Sequence, residues 1–123
     1  MKLKTILSFV LTIIIFTSIS FAQDKVYEKP DKMPMPEGGI MSIMEKVVYP
    51  KSAKVNKIEG KVVVKAVVDE SGNVIKTEVV ESVNEDLDKA AVKAIKESKF
   101  IPGEKDGKKV KVEIFIPVKF KLG

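Results

Sequence analysis

The chain has 123 residues, 45% hydrophobic and 32% charged, a composition typical of one globular domain. It contains no Cys, His or Trp, and all 22 basic residues are lysine. These absences exclude disulfides, thiolate and imidazole catalysis, the usual zinc sites and bidentate arginine clamps. The net charge of +5 does not indicate nucleic-acid binding, because the lysines alternate with acids instead of forming a block.

Residues 1–22 are predicted to be an export signal. Lys2 and Lys4 precede an uncharged, mostly apolar run from Thr5 to Gln23, in which Ser20-Phe21-Ala22 forms a small-x-small cleavage pattern. The alternative is an uncleaved anchor in the inner membrane, since nineteen helical residues reach about 28 Å, just enough to span a bilayer. Both interpretations export residues 23–123, and the well-formed cleavage site favours a soluble product.

Residues 23–39 are predicted to be a linker, and residues 40–123 the folded domain. Three prolines and the Gly38-Gly39 pair are expected to break any regular element in the linker. A first helix, which Pro50 ends, is predicted from the apolar spacing of Ile40, Ile43, Met44, Val47 and Val48. Residues 51–56 can add one further short turn.

A β-hairpin is predicted next. Apolar residues alternate through Lys61–Val68, with one face fully apolar and the other mixed, as in a sheet covered on one side. The segment Asp69–Asn73 has turn chemistry, and Gly72 can adopt positive φ. Val74–Glu81 then returns as the second strand.

The second helix has the clearest signals in the chain. Asn84 or Asp86 can cap it, acids occupy its first turn and lysines its last. Its apolar stripe consists of Leu87, Ala91, Ala94, Ile95 and Ser98. Phe100-Ile101-Pro102-Gly103 ends this helix and turns the chain.

The last strand follows a polar turn around Gly107. One face of this strand carries Val110, Val112, Ile114 and Ile116. Pro117 interrupts the run, and a proline belongs on an edge strand or at a bulge, which predicts an unpaired edge near the C-terminus. The order helix, strand, strand, helix, strand predicts an α+β fold, with a three-stranded antiparallel sheet and two helices on one face.

The residues do not support catalysis. The sequence has no nucleophile–base pair and no phosphate-binding loop, and the acidic turn at residues 69–73 lacks the ligand spacing of a calcium loop. The methionines at positions 33, 35, 41 and 44 are expected to fill gaps rather than bind a soft metal. The sequence therefore predicts a protein that is not an enzyme and that has no cofactor and no metal.

The predicted unpaired edge is a possible binding site for a peptide. A sheet edge presents free N–H and C=O groups, to which an extended peptide can add as a new strand. The residue pattern leaves peptide addition and a structural role equally open, and in the structural role the edge is either merely protected by the lysines around residues 105–111 or forms a homodimer seam.

A series of short motifs resembles the TonB C-terminal domain over about residues 36–122. The motifs are Tyr49-Pro50 with Ala53, Ile58-Glu59-Gly60-Lys61-Val62, Gly72-Asn73-Val74, Val79-Val80, Leu87-Asp88 with Ala90-Ala91, Phe100-Ile101-Pro102-Gly103, Gly107, and Pro117-Val118-Lys119-Phe120. The lead-in Met35-Pro36-Glu37-Gly38-Gly39 is similar to variants in Bacteroidetes-like bacteria. Each motif is weak alone, and their common order and spacing carry the resemblance.

The resemblance implies a periplasmic domain that binds the TonB-box peptide of outer-membrane transporters by strand addition, in energy-dependent uptake. It implies contact with inner-membrane motor proteins, and homodimers through edge strands. The peptide-binding residues that it implies are Val110, Lys111, Val112, Glu113, Ile114, Phe115 and Ile116, together with Val48, Tyr49 and Pro50.

Two departures from the family pattern leave a second hypothesis open. The linker is much shorter than the Pro-rich spacer of family transducers, and the apolar N-terminal segment lacks a polar coupling residue such as His. The first hypothesis is therefore an energy transducer, and the second is a free-standing periplasmic binding module or scaffold.

Overall fold

A computed structural model describes residues 25–123. In chain order its elements are β1 (Val26–Tyr27), β2 (Met35–Pro36), α1 (Ile40–Lys46), α2 (Lys51–Val55), β3 (Gly60–Val68), β4 (Val74–Glu81), α3 (Glu85–Lys96), β5 (Phe100–Ile101), β6 (Gly103–Lys105) and β7 (Lys108–Phe120). The main sheet has the order β1-β7-β3-β4, β6 pairs with β7, and β2 pairs with β5 in a separate ribbon. The predicted fold is confirmed, with α1, β3, β4, α3 and β7 in the predicted order.

The core lies on one face of the sheet. Val62 and Val64 of β3 are fully buried, whereas Lys61 and Lys65, which flank them, point to the other face and pair with acids of β4. All three helices contribute to the same apolar cluster, through Ile43 of α1, Ala53 of α2, and Leu87, Ala91, Ala94 and Ile95 of α3. The helices therefore cover one face, and burial of these side chains is the main stabilising contribution.

The turn between β3 and β4 is fixed to β5 through Gly72. The Asp69 carboxylate accepts the N–H groups of Ser71 and Asn73, each at 2.9 Å. Gly72 has a φ of 84°, and its carbonyl accepts the Phe100 N–H at 2.9 Å. A Cβ on Gly72 would lie 1.9 Å from the Phe100 carbonyl oxygen. Both the left-handed backbone and the close contact therefore require glycine.

The N-terminus of α3 is capped by Asn84. Its side-chain oxygen accepts the Leu87 N–H at 2.8 Å, which decides between Asn84 and Asp86, the two residues that the sequence allows. At the other end, the buried Ser98 hydroxyl donates to the Ala94 carbonyl at 2.7 Å. The apolar stripe of α3 is thus buried without leaving a polar atom unpaired.

The first helix ends earlier than the apolar pattern predicts. α1 stops at Lys46, Val47 is extended with φ −73° and ψ 120°, and Val48 is 72% exposed. Pro50 excludes the helical conformation from Tyr49, and β-branched valines adopt extended backbone readily. The short turn predicted after Pro50 is present as α2.

The segment before α1 lies along the domain, although its prolines led us to expect no regular element. β1 pairs in parallel with β7, with Val26 opposite Lys111, and β2 pairs with β5. Between them, Lys32 and Glu104 exchange two backbone hydrogen bonds, each of 3.0 Å. Pairings of one or two residues need few donors, so prolines between them are tolerated. The domain boundary at residue 40 stays a prediction.

β7 runs without interruption through Pro117, which the sequence predicts as a break. It pairs with β3 from Val112 to Phe120, and Pro117 lies opposite Val63. At this position β3 is the only neighbouring strand among the described residues, so a residue without an N–H can be accommodated. At its other end β7 forms a hairpin with β6, closed by Asp106-Gly107, both at positive φ.

Candidate functional site

Along most of its pairing with β3, β7 has a neighbouring strand on one side only. Val112 has Val68 of β3 on one side and Tyr27 of β1 on the other. From Glu113 to Phe120, the strands of residues 25–123 supply a neighbour on the β3 side alone. We call this stretch, residues 113–120 on the side away from β3, the open β7 edge.

An apolar cavity of about 220 Å³ adjoins the open β7 edge. Its walls come from the N-terminal segment, α1, β5 and β7, through Met33, Pro34, Pro36, Ile40, Ile43, Phe100, Ile114, Phe115, Ile116 and Pro117. Every lining residue is apolar, and Ile40 and Met33 are each 49% exposed. A cavity of about 150 Å³ lined by apolar side chains can hold benzene, so this one has room for an apolar side chain.

The residues predicted on β7 fall into two groups. Val110 pairs with β6, and Lys111 and Val112 pair with β1, so each of these three already has a strand partner other than β3. The remaining four, residues 113–116, lie on the open β7 edge. Within this group Phe115 is 61% exposed, and Ile114 and Ile116 are buried toward the cavity.

The residues predicted around the Tyr-Pro motif lie near the far end of β7. The ring of Tyr49 packs edge-on against Phe120, with 5.4 Å between ring centroids, and its hydroxyl donates to the Ile58 carbonyl. Burial of the phenol, with a smaller effect of the Glu59 carboxylate, raises the pKa of Tyr49, so the hydroxyl remains a donor at neutral pH. Val48 is exposed, and Pro50 precedes α2.

Charged side chains lie on the sheet face opposite the core. The Lys65 ammonium is 2.9 Å from the Glu78 carboxylate and 3.6 Å from that of Glu113. The hydrogen bond that Lys65 donates to Glu78, followed by the negative charges of Glu78 and Glu113, raises the pKa of Lys65. These pairs hold the outer face in register but place no titrating group in the cavity, whose lining is entirely apolar.

Seven of the cavity residues were not identified as part of the site by sequence reasoning, namely Met33, Pro34, Pro36, Ile40, Ile43, Phe100 and Pro117. They come from the segment interpreted as a linker, from α1, from β5 and from the second half of β7. The available signal was the methionine at position 33, whose expected role as a gap-filler agrees with its place in this wall.

The family follows from a model match. The model described as the Gram-negative bacterial TonB protein C-terminal domain matches residues 45–122, more than half of the chain. The chain belongs to the TonB C-terminal domain family. Proteins of the TonB family are periplasmic energy transducers of transport rather than enzymes.

Individual TonB proteins are similar to this chain in sequence and in structure. Protein TonB of Vibrio cholerae is 43% identical over 75 residues, which cover 60% of this chain and 31% of the relative's length. The chain thus spans about a third of that curated TonB. The solution structure of the Helicobacter pylori TonB-CTD (residues 179–285) has a TM-score of 0.54 at 31% identity, covering 68% of this chain and 76% of that one. The solution structure of the Pseudomonas aeruginosa TonB CTD has a TM-score of 0.55 at 26% identity, covering 80% and 93%.

Two further observations concern the described part of this TonB-family chain. Within residues 25–123, no helix has the length and apolar character to cross a membrane. The same residues contain no cluster of three or more acids that could hold a metal ion. The predicted export signal or anchor at residues 1–22 lies outside the described residues.

Proposed function

We propose that this protein binds extended peptides of outer-membrane transporters by strand addition at the open β7 edge, as part of energy-dependent uptake across the outer membrane. The observation that carries the proposal is the combination of an unpaired strand edge with an apolar cavity beside it. The backbone of an added strand would supply affinity, and the cavity would select an apolar side chain.

The pairing of β1 supports this use of the edge. β1 occupies the same side of β7 that the peptide would use, at Lys111 and Val112. Its contact ends where the open β7 edge begins, so an added peptide would continue the row of strands. The eight residues of the open edge extend for about 26 Å. A peptide strand of this length buries far less than a standard interface, so weak, reversible binding is expected.

The experiment is an NMR titration of residues 23–123, a part that contains every residue of the core cluster. The ligands are peptides from the N-terminal tails of transporters of the same organism. Amide shifts are expected in residues 113–120 and not in β4, the other edge strand of the main sheet. A peptide with prolines at alternate positions, which lacks the required N–H groups, serves as the control ligand.

Two matched substitutions test the role of the cavity. Ile40 lines the cavity and is 49% exposed, whereas Ile75 lies on β4 and is 52% exposed. A bound peptide would bury the exposed half of the Ile40 side chain, and Ile40→Glu would remove that contribution to binding. Ile40→Glu should therefore weaken peptide binding about fivefold, and Ile75→Glu should leave it unchanged. Equal effects of the two substitutions, or shifts confined to β4, would contradict the proposal.

A second candidate, a free-standing binding module that does not transduce energy, is favoured by the packing of the N-terminal segment. Because residues 26–36 lie along β7, β6 and β5, almost no spacer is left between residue 24 and the domain. Cell fractionation and crosslinking distinguish the two. Soluble periplasmic protein cut after Ala22 supports the module, and membrane retention with crosslinks to a motor protein supports the transducer.

A further inference from the structure

β1 lies on the side of β7 to which a peptide would add. Val26 is opposite Lys111 and Tyr27 is opposite Val112, whereas β3 pairs with the other side of β7. The backbone groups on one side of a strand pair with one neighbour only, so β1 and an added peptide compete for these two positions. Without β1, these two positions and the eight residues of the open β7 edge would form a continuous edge over residues 111–120.

The chain turns away from β7 directly after β1. Because β1 runs parallel to β7, it points along the open β7 edge, but Glu28 and Lys29 form a bend and Pro30 follows. Proline has no N–H and a fixed φ, so it cannot continue a ladder on the paired side. β1 therefore ends where the open β7 edge begins, and residues 28–30 form a hinge.

The chain beyond this hinge is attached to the domain at two adjacent residues. The Asp31 carboxylate accepts the Asp106 N–H at 2.8 Å. Lys32 exchanges two backbone hydrogen bonds of 3.0 Å with Glu104. These contacts do not involve β1, so β1 can leave β7 while the rest of the N-terminal segment stays in place. The three-residue hinge also keeps a released β1 at a high local concentration beside β7.

Side chains give β1 a modest hold on the domain. Tyr27 is half-buried and packs against the core cluster, and the Lys25 ammonium lies 4.8 Å from the centroid of its ring. Valine and tyrosine also favour a strand. Val26 is 40% exposed and adds little burial. β1 is thus a specific contact, but it consists of two ladder positions and one ring.

A peptide bound along the open β7 edge has an advantage at the same two positions. Its strand extends from residue 113 to residue 111 without closing a loop. β1 must close the loop of residues 28–30 each time it pairs, and ordering this loop costs conformational entropy. A long peptide can therefore replace β1, whereas a peptide that ends at residue 113 leaves β1 in place.

We propose that β1 is an internal competitor for the peptide-binding edge, displaced by peptides that extend to Lys111 and left in place by shorter ones. This inference rests on the proposed function, because it concerns the same edge of β7. Eight positions are open to any extended peptide, and the last two become available only when β1 is released. β1 thereby discriminates between peptides by length, and a bound long peptide frees the chain ahead of the hinge.

The first test weakens β1 and compares two peptides. In residues 23–123, V26G/Y27G removes the Tyr27 ring and replaces two strand-forming residues with glycine. Release of two ladder positions corresponds to about one net hydrogen bond, so a twelve-residue transporter peptide should bind about fivefold more tightly, whereas an eight-residue peptide should bind as before. The control, I75G/K76G, places two glycines at exposed positions of β4 and should change neither affinity. Calorimetry gives the affinities, and circular dichroism verifies that each variant is folded.

The second test locks β1 to β7 reversibly. Val26 and Lys111 are partners in neighbouring strands, with Cα atoms about 4.8 Å apart, a separation that a disulfide can span. The chain has no cysteine, so V26C/K111C can form only this bond within one molecule. Oxidation should reduce the affinity for the twelve-residue peptide to that for the eight-residue one, and dithiothreitol should reverse the effect. The reduced sample is the matched control.

The amide signals of Val26 and Tyr27 show directly whether β1 leaves β7. In the unaltered protein the twelve-residue peptide should move both toward unfolded-chain positions, and the eight-residue peptide should not. Binding of the long peptide with these amides unmoved, or with equal affinity for V26G/Y27G and I75G/K76G, would overturn the competition and leave strand addition intact. Binding of neither peptide to any form would overturn the proposed function, and this inference with it.

Discussion

The contact between Gly72 and Phe100 is expected to be the most sensitive backbone position of the described domain. Gly72→Ala forces an L-residue into the left-handed region, which costs roughly 1–2 kcal/mol. The added Cβ must also move the Phe100 carbonyl, 1.9 Å away, and disturb the 2.9 Å hydrogen bond between the two residues. Loss of that bond adds about 1 kcal/mol. We therefore expect a total destabilisation of about 2–3 kcal/mol, a large share of a domain's stability.

Gly107 provides the matched control for this substitution. Its φ of 77° is close to that of Gly72, but a Cβ there would meet no atom within 4 Å. Gly107→Ala therefore carries the backbone cost alone. Urea unfolding of both variants, followed by far-ultraviolet circular dichroism, gives the two free energies. If Gly72→Ala is no less stable than Gly107→Ala, the close contact with Phe100 does not have the importance assigned to it here.

Two further predictions concern single polar contacts. Tyr49→Phe removes the hydrogen bond to the Ile58 carbonyl. It should lower the free energy of unfolding, measured by urea denaturation, by about 1 kcal/mol. An unchanged value would mean that water replaces the hydroxyl as the hydrogen-bond donor. The hydrogen bond from the Asp106 N–H, and to a smaller extent the one from Lys105, lowers the pKa of Asp31. This contact therefore stabilises the N-terminal segment fully above a pH of about 4, and it loses its effect as the pH falls and the carboxylate is protonated. The protection factor of the Asp106 amide against hydrogen exchange should fall as the pH drops below about 4 in the native protein, and Asp31→Asn should abolish that pH dependence.

The sequence predicts the central elements because each has a local signal. The alternation in β3 and the apolar stripe of α3 repeat over eight or more residues, and both elements end at recognisable turn or cap residues such as Gly72 and Asn84. The end of α1 was misplaced because the helical spacing continues through Val47 and Val48, where the nearby proline imposes extended backbone instead.

The parts of the site that could not be predicted depend on partners distant in the chain. Val26 pairs with Lys111 and Met35 with Ile101, in strands too short to have a hydrophobic period. The pairing of β1 covers part of the predicted edge at residues 111–112, and the segment that follows it builds one wall of the cavity. Peptide binding at β7 stays a prediction, and the portion of this strand with a free edge follows only from where the N-terminal segment lies.

The packed N-terminal segment also determines how the domain would respond to tension. A force applied to the chain ahead of residue 25 first reaches the two-residue contact between β1 and β7, and then the single pairing of Lys32 with Glu104. It next reaches the two-residue pairing of β2 with β5, and only afterwards α1 and the core. These short contacts would yield before the core does. Their release would free residues 26–39, up to about 50 Å of extended chain. Under tension the segment would thus detach and lengthen the chain between the point of pulling and the domain, while β7, β3 and β4 stay paired.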